Sequence, residues 1–405
     1  MWRPAILLII FVIVVGLAAV PGDQPARAAN ESGLPDELII TPAQSTALTG
    51  PQPWVLILCK FQDVPDEPYP LAYFQNLLAN SYPGLDHYWR EVSYNTISLE
   101  GSTAVGWYTL PNPKSYYVYD QDGDGEPDHD HSRTATDCTA AADAAVNYTA
   151  YYGVGLIFND GLNEPATGGT LANPLTLDGK TYFWPMIWIP GPSASQGVIA
   201  HEIGHTFGLG HIYVKNSEFA SGWDLMGSPC YYGSQRHPTY GCVGLHINAA
   251  TKEQLGWIPA AQTVVVTPGM STTITLERLA LPQTDNPLLA RIPINGSPTH
   301  YYSVEARYKA GYDDAPIAPE SAVLIFETRI VTFSNGQQFP VVEQIVADPS
   351  NDPSGPGAVW APGMTFVDPV HQVTVSVIEK TASGYTVSIT NSGSMHQSFL
   401  PLLRN

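Results

Sequence analysis

The stretch from His201 to His211 constrains the fold more than any other part of the chain. It reads His201-Glu202-Ile203-Gly204-His205-Thr206-Phe207-Gly208-Leu209-Gly210-His211, the pattern H-E-x-x-H-x-x-G-x-x-H. Residues Gln196 to Phe207 can form a helix, with Ser193 or Ser195 as its N-cap. On such a helix His201 and His205 stand one turn apart, so both imidazoles aim at one point. Glu202 lies about 100° further round the helix, beside that point, where its carboxylate can hold a water. Gly208 can take a positive φ, ending the helix and swinging the chain back so that His211 brings a third nitrogen. Three neutral imidazoles suit zinc and leave a fourth position open, as catalytic rather than structural sites do. Chance co-occurrence of the five specified residues is expected in roughly 3 of 100,000 chains of this composition.

Beyond the motif, Gly222-Trp223-Asp224-Leu225-Met226-Gly227 is placed like the methionine turn beneath the metal in metzincins, with Met226 as an apolar floor. The chain resembles secreted metallopeptidases of the immune inhibitor A-type family, within the metzincin-like zinc peptidases. The resemblance covers most of residues 54–370. It rests on the two motifs above and, more weakly, on Val55–Asp63, Tyr88–Tyr94, Gly106–Pro111, Leu255–Trp257, Glu305–Arg307 and Trp360–Gly363. The family often carries Asp where this chain has His211; histidine is an equally good third ligand. The family's long inhibitory propeptide has no room before the strand at Trp54. Some metzincins stabilise the oxyanion with a Tyr two residues after the Met, but position 228 is Ser, which leaves Tyr231 and Tyr232 as nearby guesses. The resemblance implies an endopeptidase in which Glu202 is the general base towards a zinc-bound water and His201, His205 and His211 hold the zinc.

Asp120, Asp122, Asp124 and Asp128 occupy positions 1, 3, 5 and 9 of an EF-hand-like loop with Gly125 at position 6. His131 stands where the bidentate Glu of that loop belongs. The expectation is a structural calcium site, and the resemblance points the same way. His129, His131, His237 and His246 lack ligand spacing and read as surface or loop residues. Trp184 and Trp188 could line a substrate cleft or be packed in the interior.

Arg3, the apolar run Ala5–Val20 and Ala26-Arg27-Ala28 read as an export signal cleaved near Ala28. The run falls short of the ~20 residues a membrane span takes, so no stable membrane insertion is expected. Export makes two disulfides the natural use of four cysteines. Three pairings are possible; Cys230–Cys242 closes the shortest loop and is favoured, leaving Cys59–Cys138. Acidic residues number 37 against 17 basic ones, for a net charge of −20. No Lys/Arg cluster is available to release phosphate counterions, which excludes nucleic acid as a main partner.

Apolar runs at Trp54–Phe61 and Gly153–Phe158 predict buried strands. Tyr73–Ala79, Leu85–Val92 and Cys138–Tyr148 predict helices, and Thr96–Tyr108 predicts strands with turns. After residue 260, short segments rich in Val, Ile, Thr and Tyr alternate with Pro, Gly and Asn, predicting an antiparallel β-domain. The expected fold is α+β: a signal at 1–28, a leader or linker at 29–52, and a metzincin-like catalytic domain of mixed sheet plus helices at 53–259. A sandwich-like all-β domain at 260–391 and a flexible tail at 392–405 complete it. The expected protein is a secreted, monomeric zinc endopeptidase acting on extracellular polypeptides. The alternative is a secreted binding or adhesion protein with a structural zinc and no catalysis.

Overall fold

The computed structural model describes residues 38–39, 47–215, 217, 221–227, 230, 235–315, 319–332, 338–349 and 356–394. The expected signal peptide, residues 395–405 of the expected tail, Ser228, Tyr231 and Tyr232 lie outside the described residues.

The first half runs through Leu38–Ile39 (β1), Trp54–Lys60 (β2), Leu71–Leu77 (α1), Leu85–Val92 (α2), Thr103–Thr109 (β3) and His131–Ala142 (α3). It continues through Gly153–Phe158 (β4), Thr167–Leu171 (β5), Pro185–Pro190 (β6) and Gln196–Thr206 (α4). The strands form a six-stranded sheet in the order β1-β5-β6-β4-β2-β3. β6, β4, β2 and β3 are parallel, β5 is antiparallel to β6, and β1 is antiparallel to β5. Apolar residues fill β2 and β4 because both faces of this sheet are covered. Val55, Ile57, Leu156, Phe158 and Trp188 face α3, whereas Leu56, Leu58, Ile157 and Ile187 face α4. Trp184 and Trp188 are therefore interior packing and line no cleft.

Two local differences from the sequence reading have clear causes. α3 starts at His131 rather than Cys138, because the Asp130 side chain accepts a hydrogen bond from Arg133 N and caps the helix earlier. The expected linker at 29–52 is not wholly without structure: its Leu38–Ile39 pairs with Leu171–Thr170 at the edge of the sheet.

The second half contains Ile212–Tyr213 (β7), Ala249–Gln254 (α5), Thr263–Val265 (β8), Met270–Glu277 (β9), Leu289–Pro293 (β10) and Tyr301–Tyr308 (β11). Ser321–Thr332 (β12), Gln338–Gln344 (β13), Thr365–Asp368 (β14), Val373–Lys380 (β15) and Gly384–Asn391 (β16) follow. One sheet has the order β7-β13-β12-β11-β10-β8 and another the order β9-β16-β15-β14. Pairing is mostly antiparallel, as the turn spacing predicts, but β8 runs parallel to β10 and β7 parallel to β13. The two sheets close on a shared apolar layer that includes Val323, Ile325, Val375, Val387 and Ile389. The alternate residues of β12, Ala322, Leu324 and Phe326, pack instead into the core shared with Ile199 and Ile203 of α4. β12 is thus buried on both faces and forms a wall common to the two halves. The molecule is an α+β structure in which sheets predominate.

Candidate metal centre

α4 carries the first two histidines. Ser195 takes the extended N-cap backbone, but its side chain makes no capping bond and lies instead against the Cys230 and Cys242 sulfurs. The helix ends at Gly208, whose φ of +84° is closed to most L-residues. Leu209 N donates to Gly204 O and Gly208 N to His205 O, the paired bonds of a Schellman ending. That ending returns the chain past the helix, places His211 beside the other rings and leads straight into β7.

The structure brings His201, His205 and His211 together, all three buried, with one ligand atom of each within 4.8 Å of the others. His201 Nδ1 lies 2.8 Å from Leu225 O, and His205 Nδ1 lies 2.8 Å from Leu209 O. Carbonyl oxygens only accept, so both Nδ1 atoms carry the ring protons. Both Nε2 atoms then present lone pairs, and they stand 3.1 Å apart. Two facing lone pairs at that distance fit a shared cation. The carbonyls also fix ring orientation, as outer partners of metal-bound histidines do. Burial first, and the neighbouring His211 second, hold His201 down to about 3 and His205 well below its usual value, so both stay neutral at pH 7. Among the described residues, no Cys, Asp or Glu joins the three histidines in this group.

Glu202 is 5% exposed, next to the first histidine. Without a cation at the histidines, burial first and the charge of Glu164 second push its carboxyl up to about 8. The α4 backbone at Glu202 is also in close contact with β5. A Cβ on Gly168 would sit 2.2 Å from Glu202 O, so only glycine permits this approach.

Met226 lies beneath the helix, buried, and a Cβ on Gly204 would meet its Sδ at 2.8 Å. Asp224 holds the turn. Its Oδ1 accepts from Met226 N at 2.8 Å, and its Oδ2 accepts from Asn248 N at 2.7 Å and Asn248 Nδ2 at 2.9 Å. The same turn supplies Leu225 O to His201, and Met226 O receives Ile212 N at 3.0 Å. Sequence reasoning treated Asp224 only as part of a pattern; its burial and three donors give it a structural task.

Cys59 is bonded to Cys138, tying β2 to α3, and Cys230 is bonded to Cys242. In the acidic loop, carboxylate oxygens of Asp120, Asp122 and Asp128 lie within 4.8 Å of one another, and Asp124 is not in that group. Asp120 accepts from Gly123 N at 2.6 Å and from Gly125 N at 3.0 Å, with both glycines at positive φ.

The structure corrects three of the histidines read as surface or loop residues. His129, His131 and His246 are buried. His246 sits between Glu91 Oε1, 3.0 Å from its Nε2, and Lys252 Nζ, 2.7 Å from its Nδ1. His129 and His131 converge on Glu164, a residue to which the sequence reading gave no role. The short His129-Asp130-His131 spacing was the available signal; Glu164 lies too far along the chain to complete a pattern. His237 remains half-exposed.

No protein-family model matches the chain, and no curated protein matches it. Among solved structures, catalytically inactive OgpA from Akkermansia muciniphila in complex with an O-glycopeptide substrate, glycodrosocin, is 11% identical. It covers 78% of this chain and 96% of its own, with a TM-score of 0.31. Wild-type OgpA is 12% identical, covers 78% of this chain and 97% of its own, and also has a TM-score of 0.31. A likeness that loose carries no argument about activity, which must rest on the site itself.

Proposed function

We propose that this protein is a secreted zinc-dependent endopeptidase of metzincin-like design that hydrolyses peptide bonds in extracellular polypeptides. The observation that supports this best is the pair of histidine Nε2 lone pairs 3.1 Å apart, both rings pinned through Nδ1, with His211 beside them. His201, His205 and His211 would hold the ion. Bound zinc supplies Lewis-acid polarisation of a carbonyl and acidifies water.

The chain's own residues supply the rest. Glu202, buried beside the first histidine, takes a proton from the attacking water and passes it to the leaving amine. Leu225 O and Leu209 O keep the imidazoles in one tautomer and one orientation. Met226 and the Asp224-held turn give the site a rigid apolar floor. A three-histidine set with an adjacent buried Glu favours catalysis over a purely structural ion, since structural zinc is normally closed by four protein ligands.

The same reading assigns calcium to the loop of Asp120, Asp122, Asp124 and Asp128, where it would neutralise a charge cluster. Secretion, a monomeric state and a polypeptide substrate complete the proposal. Among the described residues no helix is long and apolar enough to cross a membrane. The test is cleavage of casein and of a quenched fluorogenic peptide library by the purified chain. Activity should vanish with a zinc chelator and return with added zinc. Cleavage that survives complete removal of metal would overturn the proposal.

A further inference from the structure

A second group of metal-capable side chains lies on the α3 side of the first sheet. His129 ends the two-residue strand Asp128–His129, Asp130 caps α3, and His131 is the first residue of that helix. The spacing puts both imidazoles on one side, with ring centroids 4.4 Å apart. The ring of Phe158 packs against His129 at 5.7 Å and that of Trp188 against His131 at 5.0 Å, so neither imidazole is free to swing away. Glu164, in the connection between β4 and β5, reaches the pair. Its Oε1 is 2.7 Å from His129 Nδ1 and 2.9 Å from His131 Nε2.

We propose that His129 Nδ1, His131 Nε2 and the Glu164 carboxylate form a second divalent-metal site, distinct from the three-histidine centre, that takes a zinc-class ion. Three features support it. The ligand atoms of the three residues all lie within 4.8 Å of one another, as those of His201, His205 and His211 do. Ligands around tetrahedral zinc stand ~3.3 Å apart, so the two contacts of Glu164, at 2.7 and 2.9 Å, need open by only about half an ångström. The far nitrogen of His129 is also held, since its Nε2 is 2.9 Å from Thr134 Oγ1. That hydroxyl lies 3.0 Å from Asp130 O. With the hydroxyl proton given to the carbonyl, His129 Nε2 carries the ring proton and Nδ1 turns a lone pair towards the carboxylate.

Two nitrogens and one oxygen are a donor set suited to zinc and its first-row neighbours, and unsuited to calcium or magnesium, which take oxygen ligands. The set matches the His₂Glu composition of open zinc sites. Glu164 keeps 18% of its side-chain surface exposed while the imidazoles are covered. The ion would therefore enter past the carboxylate, which also leaves room for a water ligand.

This inference does not depend on the peptidase reading. The test is metal uptake by the full chain, stripped and titrated with zinc in excess calcium, which keeps zinc off the acidic loop. The unsubstituted chain should take up two equivalents, and Glu164→Gln should take up one. The double variant His201→Asn/His205→Asn should retain one equivalent, and it tests the second site with its three residues intact. Cobalt(II) bound to that double variant should give visible d–d bands that Glu164→Gln removes when added to it. Uptake unchanged by Glu164→Gln, or no uptake by the double variant, would show that His129, Glu164 and His131 are only a hydrogen-bonded triad. Uptake falling from one equivalent to none in Glu164→Gln would uphold this site and count against zinc at the three-histidine centre.

Discussion

Replacing Asp224 with alanine tests whether the turn beneath the metal centre is held by one buried carboxylate. The substitution removes the acceptor for Met226 N, Asn248 N and Asn248 Nδ2, at 2.8, 2.7 and 2.9 Å. A buried donor left without an acceptor costs ~1–3 kcal/mol, so three such donors set an upper range of ~3–9 kcal/mol. Two effects reduce it. Burial already disfavours the Asp224 charge, raising its pKa against the pull of Arg307, so alanine recovers part of that cost. Water can also enter the space left behind. A loss of about 3–5 kcal/mol is expected, in the range for removing one partner from a buried charge network. The site should suffer as well, because the turn supplies Leu225 O to His201 and receives Ile212 N next to His211. Loss of such outer support typically weakens metal affinity 10–100-fold. Asp224→Asn, which keeps one acceptor oxygen, should lose roughly half as much stability. Urea denaturation followed by tryptophan fluorescence measures the first quantity, and zinc competition with a chromophoric chelator measures the second. An Asp224→Ala chain within ~0.5 kcal/mol of the original, with unchanged zinc affinity, would show that this carboxylate does not hold the turn.

Gly168→Ala would force a Cβ to within 2.2 Å of Glu202 O, so it should cost more than ~2 kcal/mol by urea denaturation and slow peptide cleavage by shifting α4; a neutral result would contradict the packing of β5 on α4. Gly208→Ala, at φ +84°, should destabilise by ~1 kcal/mol or more and weaken zinc binding by displacing His211, which the same chelator competition would detect. Lys252 is held down to about 7, by burial first and Arg307 second, against ~10.4 when unfolded. The unfolded chain therefore binds more protons between pH 7 and 10, and stability should rise with pH across that window by up to ~1.4 kcal/mol per unit. Lys252→Met should flatten the rise, and identical slopes for the two chains would contradict the burial of this amine.

The grouping of His201, His205 and His211 was legible because the three are close in sequence, and one helical turn plus one glycine reversal bring them together. Gly208, Met226 and the buried runs Trp54–Lys60 and Gly153–Phe158 were legible for similar local reasons. The β-rich second half showed in its turn spacing, but the parallel pairing of β7 with β13 did not. It depends on the chain leaving His211 straight into a pairing with a strand more than a hundred residues later. β6 was hidden because proline bounds it at both ends. The approach of β5 to α4 shows in sequence only as the pair Gly168-Gly169, which reads equally well as a loop. The convergence of Glu164 on His129 and His131 is a tertiary event, and so is the threefold use of Asp224. Their sequence neighbours carry no period that would reveal it.

In the proposed mechanism Glu202 performs the proton transfers at an ion held by His201, His205 and His211. This is tested most directly by measuring zinc content and peptide cleavage on the same preparations of the unsubstituted chain and Glu202→Ala. Equal zinc in both, and cleavage reduced by ~10²-fold or more in the variant, are expected. Cleavage by Glu202→Ala near the original rate, with zinc retained, would contradict this mechanism.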